Sequence, residues 1–241
     1  MDALIYTAMS AAERTLRAQQ IHANNLANLD TGGFRADLEL ATTQAVQGYG
    51  YDARHMSRLE ATMVSGREGP LRQTGRELDV AIGNGGYLAV QYRDGEAYTR
   101  AGALTVDADG NLGVNGYPVL GESGPIVLPP FAQLVIGVDG TISVQPPGQQ
   151  AMQAVDRLKL VRPEPGELTK NEAGLVVSRT GQALPADNAV QVRSGYLEGS
   201  NVSAIEEMVA TMSLNREFEM QMKLYKSADA MAEAGNRLIR E

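Results

Sequence analysis

A chain of 241 residues with 29 Asp and Glu against 21 Lys and Arg is long enough for one or two cored domains. Its acidity argues against nucleic acid and anionic membranes as partners. It has no Cys, which excludes disulfides and thiolate metal sites, and two histidines, His22 and His55, are too few for a histidine-rich metal centre.

The first 20 residues carry Asp2, Glu13, Arg14 and Arg17 and no continuous apolar run. No cleavable secretory signal is expected there, and no direct membrane insertion anywhere, because no apolar stretch approaches the ~20 residues a span needs. Asp2 can cap a helix over about residues 3–28, roughly 39 Å long at 1.5 Å per residue. Ile5, Met9, Ala12, Leu16, Gln19, Ala23 and Leu26 recur in steps of four and three, the spacing of a coiled-coil seam. The helix closes on Asn24, Asn25 and Asn28, poor helix formers, before Gly32 and Gly33 stop it.

Residues 36–75 show neither helical nor strand period cleanly and include Gly48-Tyr49-Gly50-Tyr51. They read as an extended arm with little structure of its own. From about 76 to 195 the period becomes two, with strands expected over 78–82, 87–92, 103–107, 134–138, 141–145, 155–161 and 174–179. Asn84-Gly85-Gly86, Asp94-Gly95, Asp109-Gly110, Asn115-Gly116 and Asp139-Gly140 supply the turns. Ser203-Ala204-Ile205-Glu206 then reads as a capping box opening a second helix to about residue 239. Val202, Ile205, Val209 and Met212 share one face; after a shift, Phe218, Met222, Tyr225, Ala228, Ala232 and Ile239 continue it. Glu219 with Lys223, and Glu233 with Arg237, are i,i+4 pairs on a solvated face.

The expected fold is therefore α+β: a central all-β domain (76–195) flanked by long N- and C-terminal helices (1–35 and 196–241) that pair as a coiled coil. Helices with so many small residues and methionines leave apolar surface open in a single copy. Head-to-tail packing of copies would cover it and produce a helical filament; an intramolecular hairpin lying on the β domain is the alternative.

Catalytic readings fail on their own chemistry. Residues 81–86 (AIGNGG) follow a strand, but strand-like sequence succeeds them and a Walker lysine is missing, so a hairpin turn is the better reading. Asp107-Ala108-Asp109-Gly110-Asn111 resembles the start of a calcium loop, yet Leu112 and Pro118 stand where glycine and glutamate are required. Ser65 and Ser123 lack nucleophile-elbow surroundings, and Glu206 and Glu207 sit on adjacent helix positions that do not face each other. No catalytic residue, cofactor site or metal site is assigned.

Four stretches, 23–35 (ANNLANLDTGGFR), 78–90 (LDVAIGNGGYLAV), 98–112 (YTRAGALTVDADGNL) and 197–212 (LEGSNVSAIEEMVATM), together resemble the rod and hook family of the bacterial flagellum. They fall in the family's order along essentially the whole chain. The opening MDALIYTAMSAAE, the length and RLKLVRP (157–163) most resemble its proximal-rod members. Asn84 stands where glycine is common, Tyr87 and Leu88 where two Phe are typical, and Arg35 where Lys is frequent.

The resemblance implies a structural subunit of the basal-body rod spanning the periplasm, exported through the flagellum's own type III apparatus. It implies assembly with copies of itself and other rod proteins, with terminal helices forming the inner tube and the β domain an outer layer. The implied assembly or family-motif residues are Asn24, Asn25, Leu26, Asn28, Thr31, Gly33, Phe34, Leu197, Glu198, Ser200, Asn201, Val202, Glu207, Met208, Phe218 and Glu219. Asn25→Leu would then impair assembly and leave the monomer folded. A distal-rod protein is the nearest alternative; a β-rich surface-binding module on a helical stalk is the alternative of another class.

Overall fold

The computed structural model describes residues 2–45, 55–93, 95–164, 166–171 and 173–240; Gly48-Tyr49-Gly50-Tyr51 and Asp94 lie outside them. In chain order the elements are α1 (Asp2–Ala27), β1 (Asp37–Ala45), β2 (His55–Val64), β3 (Leu71–Gln73), β4 (Val80–Ile82), β5 (Tyr87–Tyr92) and β6 (Gly95–Thr99). Next come β7 (Leu104–Val106), β8 (Leu112–Val114), β9 (Tyr117–Pro118), β10 (Gln133–Ile136), β11 (Thr141–Gln145), β12 (Gln153–Arg157) and β13 (Leu160–Val161). The chain closes with β14 (Leu168–Lys170), β15 (Val176–Ser178), β16 (Val192–Ser194), β17 (Tyr196–Glu198) and α2 (Ala204–Arg240). Two compact units result: a helical one from Met1–Ala27, Asp37–Met63 and Ser203–Glu241, and a β unit from Asn28–Ala36 and Val64–Val202.

The β unit is built around a five-stranded antiparallel sheet in the order β13-β5-β6-β15-β14. Its strand β5 is buried on both faces. Leu88 and Val90 join Ile82, Leu104, Leu112, Val119 and Ile126 in the larger core, whereas Tyr87 and Ala89 join Tyr98, Leu120, Val161 and Val176 in a second cluster. That is why Tyr87-Leu88-Ala89-Val90 reads as a continuous apolar run rather than an alternating one. Each such buried Leu or Val contributes about 1.5–3 kcal/mol. Three-stranded sheets β10-β11-β12 and β7-β8-β9 complete most of the core, the latter turned by Asn115 and Gly116, both at positive φ as a primed hairpin turn demands.

Two short ribbons, β16-β4 and β17-β3, join the beginning of the β unit to its end. Because β4 pairs with β16, the turn through Asn84 and Gly85 links two different sheets and is not the expected hairpin. Asp107, the calcium-loop candidate, accepts from the N–H groups of Asp109 and Asn111 and from the Asn111 side chain. These bonds hold its carboxyl below the usual carboxylate range. It caps its own turn.

The expectation of long terminal helices pairing as a coiled coil is overturned. The chain is mostly β through its centre, with one helix at each end, and the apolar residues assigned to the seam do not form one. Met9 is 63% and Leu16 45% exposed on α1; on α2, Ile205 is 77%, Val209 58% and Met212 58% exposed. The buried face of α1 carries Thr15, Ala18 and Asn25, with His22 half-buried, each one residue before its expected counterpart. One residue is ~100° of helix rotation, so Met9, Leu16 and Ala23 of the stripe read as inward point to solvent, while Ala12, Gln19 and Leu26 stay half-buried at its edge. Residues 36–75, read as an arm with little structure, contain β1, β2 and β3.

Candidate functional site

The motif residues gather in two places, one in each unit. In the β unit the residues following α1 lie against those preceding α2. Gly33 N–H donates to the Glu198 carbonyl (2.9 Å), and Asn201 N–H to that of Phe34 (3.3 Å). The Asn201 side chain accepts from Ala36 N–H (2.7 Å) and donates to the Arg67 carbonyl (2.7 Å). Gly33 sits at φ 71°, where a Cβ would fall 2.3 Å from the backbone of Arg100 and Ala101, so only glycine permits this approach. Lys170 donates to the Arg35 carbonyl (2.7 Å) and covers the Phe34 ring at 3.8 Å.

At the centre of this clasp is an ion cluster. The Glu198 carboxylate accepts from Arg35 (2.8 Å), from Nη2 and Nε of Arg100 (2.6 and 2.7 Å) and from Gly69 N–H (2.9 Å). All three charged side chains are buried. Arg100 also donates to the carbonyls of Ile82 and Gly86, and half-exposed Glu68 lies 3.4 Å from it. Burial, then the neighbouring Arg100 charge, lowers the Arg35 guanidinium's pKa, and its Nε and Nη1 have no hydrogen-bond partner. Burial likewise pushes the Tyr87 phenol up; Arg100 stands over its ring at 5.7 Å. A buried pair stripped of one partner is costly, so this cluster demands that all its segments be in place together.

In the helical unit a row of polar contacts joins α1 to α2. Gln221 donates to the Thr15 hydroxyl (3.1 Å), Gln19 to the Asn215 side chain (2.9 Å), and His22 Nδ1 meets the Glu207 carboxylate at 2.5 Å. Asn25 is buried beside them. Its amide accepts from Asp37 N–H (2.8 Å) and donates to the Asp37 carbonyl (3.1 Å) and to Glu207 (3.3 Å). It serves the backbone of β1's first residue as a neighbouring strand would.

Of the expected motif residues, Gly33, Phe34, Glu198 and Asn201 meet in the clasp, and Asn25 meets Glu207. Asn28 accepts at its carbonyl from Thr31 N–H and at its side chain from the Thr31 hydroxyl, closing the turn after α1. Ser200 accepts from Val202 N–H, and Leu26 and Leu197 are half-buried. Asn24, Met208 and Glu219 are exposed, and Phe218 is half-buried on α2. Sequence reasoning missed Arg100, Glu68, Lys170, Thr15, Asn215 and Gln221 as site residues. Arg100 had a signal, a lone cation within the motif 98–112 between short apolar segments. The others had none.

A groove of about 630 Å³ runs beside the clasp, lined by Glu68, Leu71, Arg100, Val138 and Tyr196 among others. Its buried charges already serve each other. Among the described residues no three His, Asp or Glu side chains gather as a metal group, and no helix is long and apolar enough to cross a membrane.

Residues 5–35 match the family described as flagella basal body rod protein, and 81–144 the D1 domain of flagellar hook protein FlgE/F/G. Residues 193–238 match the C-terminal family of the flagellar basal body rod FlgEFG proteins. These segments hold most of the clasp and the polar row. The chain is 42% identical to flagellar basal-body rod protein FlgF of Escherichia coli (strain K12), over 99% of each chain. The chain belongs to the FlgF family of flagellar basal-body rod proteins. Its likeness to FlgF of Salmonella typhimurium is 40% over 99% of each chain, and to the rod protein FlgG of Agrobacterium fabrum 32% over 95% of each. As a member of the FlgF family it is a structural subunit of the flagellar basal-body rod.

Proposed function

We propose that this chain is a non-enzymatic building block of the proximal rod, packing against copies of itself and other rod proteins in a tube that transmits torque and encloses part of the export channel. The reading includes delivery through the flagellar type III apparatus and a position crossing the periplasm. The 42% and 40% identity to FlgF of Escherichia coli and Salmonella typhimurium, against 32% to FlgG of Agrobacterium fabrum, favours the proximal over the distal rod.

One observation carries the assembly reading. The helices spend polar residues on each other and turn apolar ones outward, with Ile205, Met208, Val209 and Met212 forming one exposed face at i, i+3, i+4 and i+7. Surface of that kind is characteristic of an interaction site. The test replaces Met208 and Met212 together by Gln in a strain lacking the native gene. Motility restored by the unaltered gene but not by the variant, with thermal unfolding of the purified variant unchanged, is the expected result. Full motility from the variant would overturn the reading.

A further inference from the structure

Side-chain bonds between α1 and α2 form a ladder: Thr15 with Gln221, Gln19 with Asn215, and His22 and Asn25 with Glu207. Residue numbers rise along one helix as they fall along the other, so the pairing is antiparallel. The apolar side chains that could have made this contact, Met9 and Leu16 on α1 and Val209 and Met212 on α2, are each more than 40% exposed. A rotation of about one residue would bring the α1 stripe onto its partner. Beside the small buried Ala18, the bonds that cross between the helices come from hydroxyl, amide, imidazole and carboxylate groups.

These two kinds of contact behave differently when opened. Polar groups that part regain hydrogen bonds to water, so the net cost of separating them is small. Apolar faces that part expose area to water, and the cost grows with that area. Hydrogen bonds are also directional and fix rotation and register, as single polar residues do in helix seams. A polar ladder therefore defines how the helices meet while leaving them easy to separate and their apolar faces unspent.

We propose that Thr15, Gln19, Asn215 and Gln221 are specificity-determining residues for rod assembly, because they stop the two helices from satisfying their apolar faces within one chain. The inference rests on the rod-subunit reading above and adds a role that reading does not require. The ladder holds the isolated subunit in an assembly-competent state, and making it apolar produces a better closed but less useful monomer. Asn25 stands apart, since its bonds reach the backbone of Asp37 as well as Glu207.

The experiment uses the full chain with Thr15→Val and Gln221→Leu together, and separately Gln19→Leu with Asn215→Leu. The second pair lies at a solvent-exposed contact, so replacing it breaks no buried bond. Amide hydrogen exchange is measured on each purified protein, and motility on a deletion strain carrying each gene. Exchange across α1 and α2 should slow by about tenfold or more while motility falls. Unaltered exchange in both variants, or full motility despite slowed exchange, would overturn the proposal. The unaltered gene in the same strain separates the two ideas: if it fails to restore motility, the rod reading itself is wrong.

Discussion

Replacing Glu198 with Gln removes the buried counter-charge shared by Arg35 and Arg100 while preserving size and shape. The carboxylate accepts four contacts of 2.6–2.9 Å, three from guanidinium nitrogens and one from Gly69 N–H. A glutamine has one acceptor oxygen for these, and its amide would point donors at donors. Two buried cations would remain with half-exposed Glu68, 3.4 Å from Arg100, as the nearest anion. Removing one member of a buried ion pair costs about 3–5 kcal/mol. For a chain of this size each kcal/mol moves the midpoint roughly 2–4 °C, so ~4 kcal/mol lowers Tm by about 8–16 °C. Thermal unfolding of the full chain followed by circular dichroism reads this directly. Adding Arg35→Met to Glu198→Gln removes the surplus charge and should recover part of the loss. A shift of less than ~3 °C for Glu198→Gln, or further loss in the double variant, would refute the electrostatic account.

Asn25→Leu should destabilise the helical unit by about 1–3 kcal/mol, because Asp37 N–H loses its partner; faster amide exchange at the end of α1 would show it. This replaces the expectation that the variant leaves monomer folding intact. Gly33→Ala should prevent closure of the clasp, since the added carbon meets backbone at 2.3 Å at a positive φ; limited proteolysis near residues 28–36 and 198–202 would report it, and a wild-type digestion pattern would refute it. Burial, opposed by the hydrogen bond from Leu184 N–H and reinforced by Glu96, pushes the Tyr98 phenol up to about 12. A raised folded-state value means the stability is whole below the unfolded value near 10 and is lost as pH rises towards 12. Tyrosinate absorbance titrated on the native chain should show the phenols of Tyr98 and Tyr87 ionising later than exposed ones.

The sequence made local features legible and left most distant ones hidden. Asn115-Gly116 announced its turn because the φ requirement is carried by those two residues alone. Ser203 does accept from Glu206 N–H at the start of α2, as the capping pattern suggested. The helix stripe was legible as a period but not as a direction. Apolar periodicity shows which residues share a face, and it was read as pointing inward because a partner helix was assumed to want it. Here the partner takes the neighbouring polar face. The clasp was legible only in part: Gly33, Phe34, Glu198 and Asn201 stood within expected motifs, but the pairing of Arg100 with Glu198, 98 residues away, has no local mark beyond a lone cation within 98–112. β1 and β3 were passed over because the two-residue period is weak over 36–75, and short strands need a partner before they are strands at all.

The two backbone bonds Gly33 to Glu198 and Asn201 to Phe34 have a mechanical meaning. The chain runs into the β unit and out of it through the same doorway, so tension along the backbone from either side arrives at two points already tied together. Such a pull bypasses the sheets and is carried across a few hydrogen bonds and one buried ion cluster. Segments that give nothing to that cluster, such as the β10-β11-β12 sheet, can lengthen, shorten or be redecorated without lying in the path of the force.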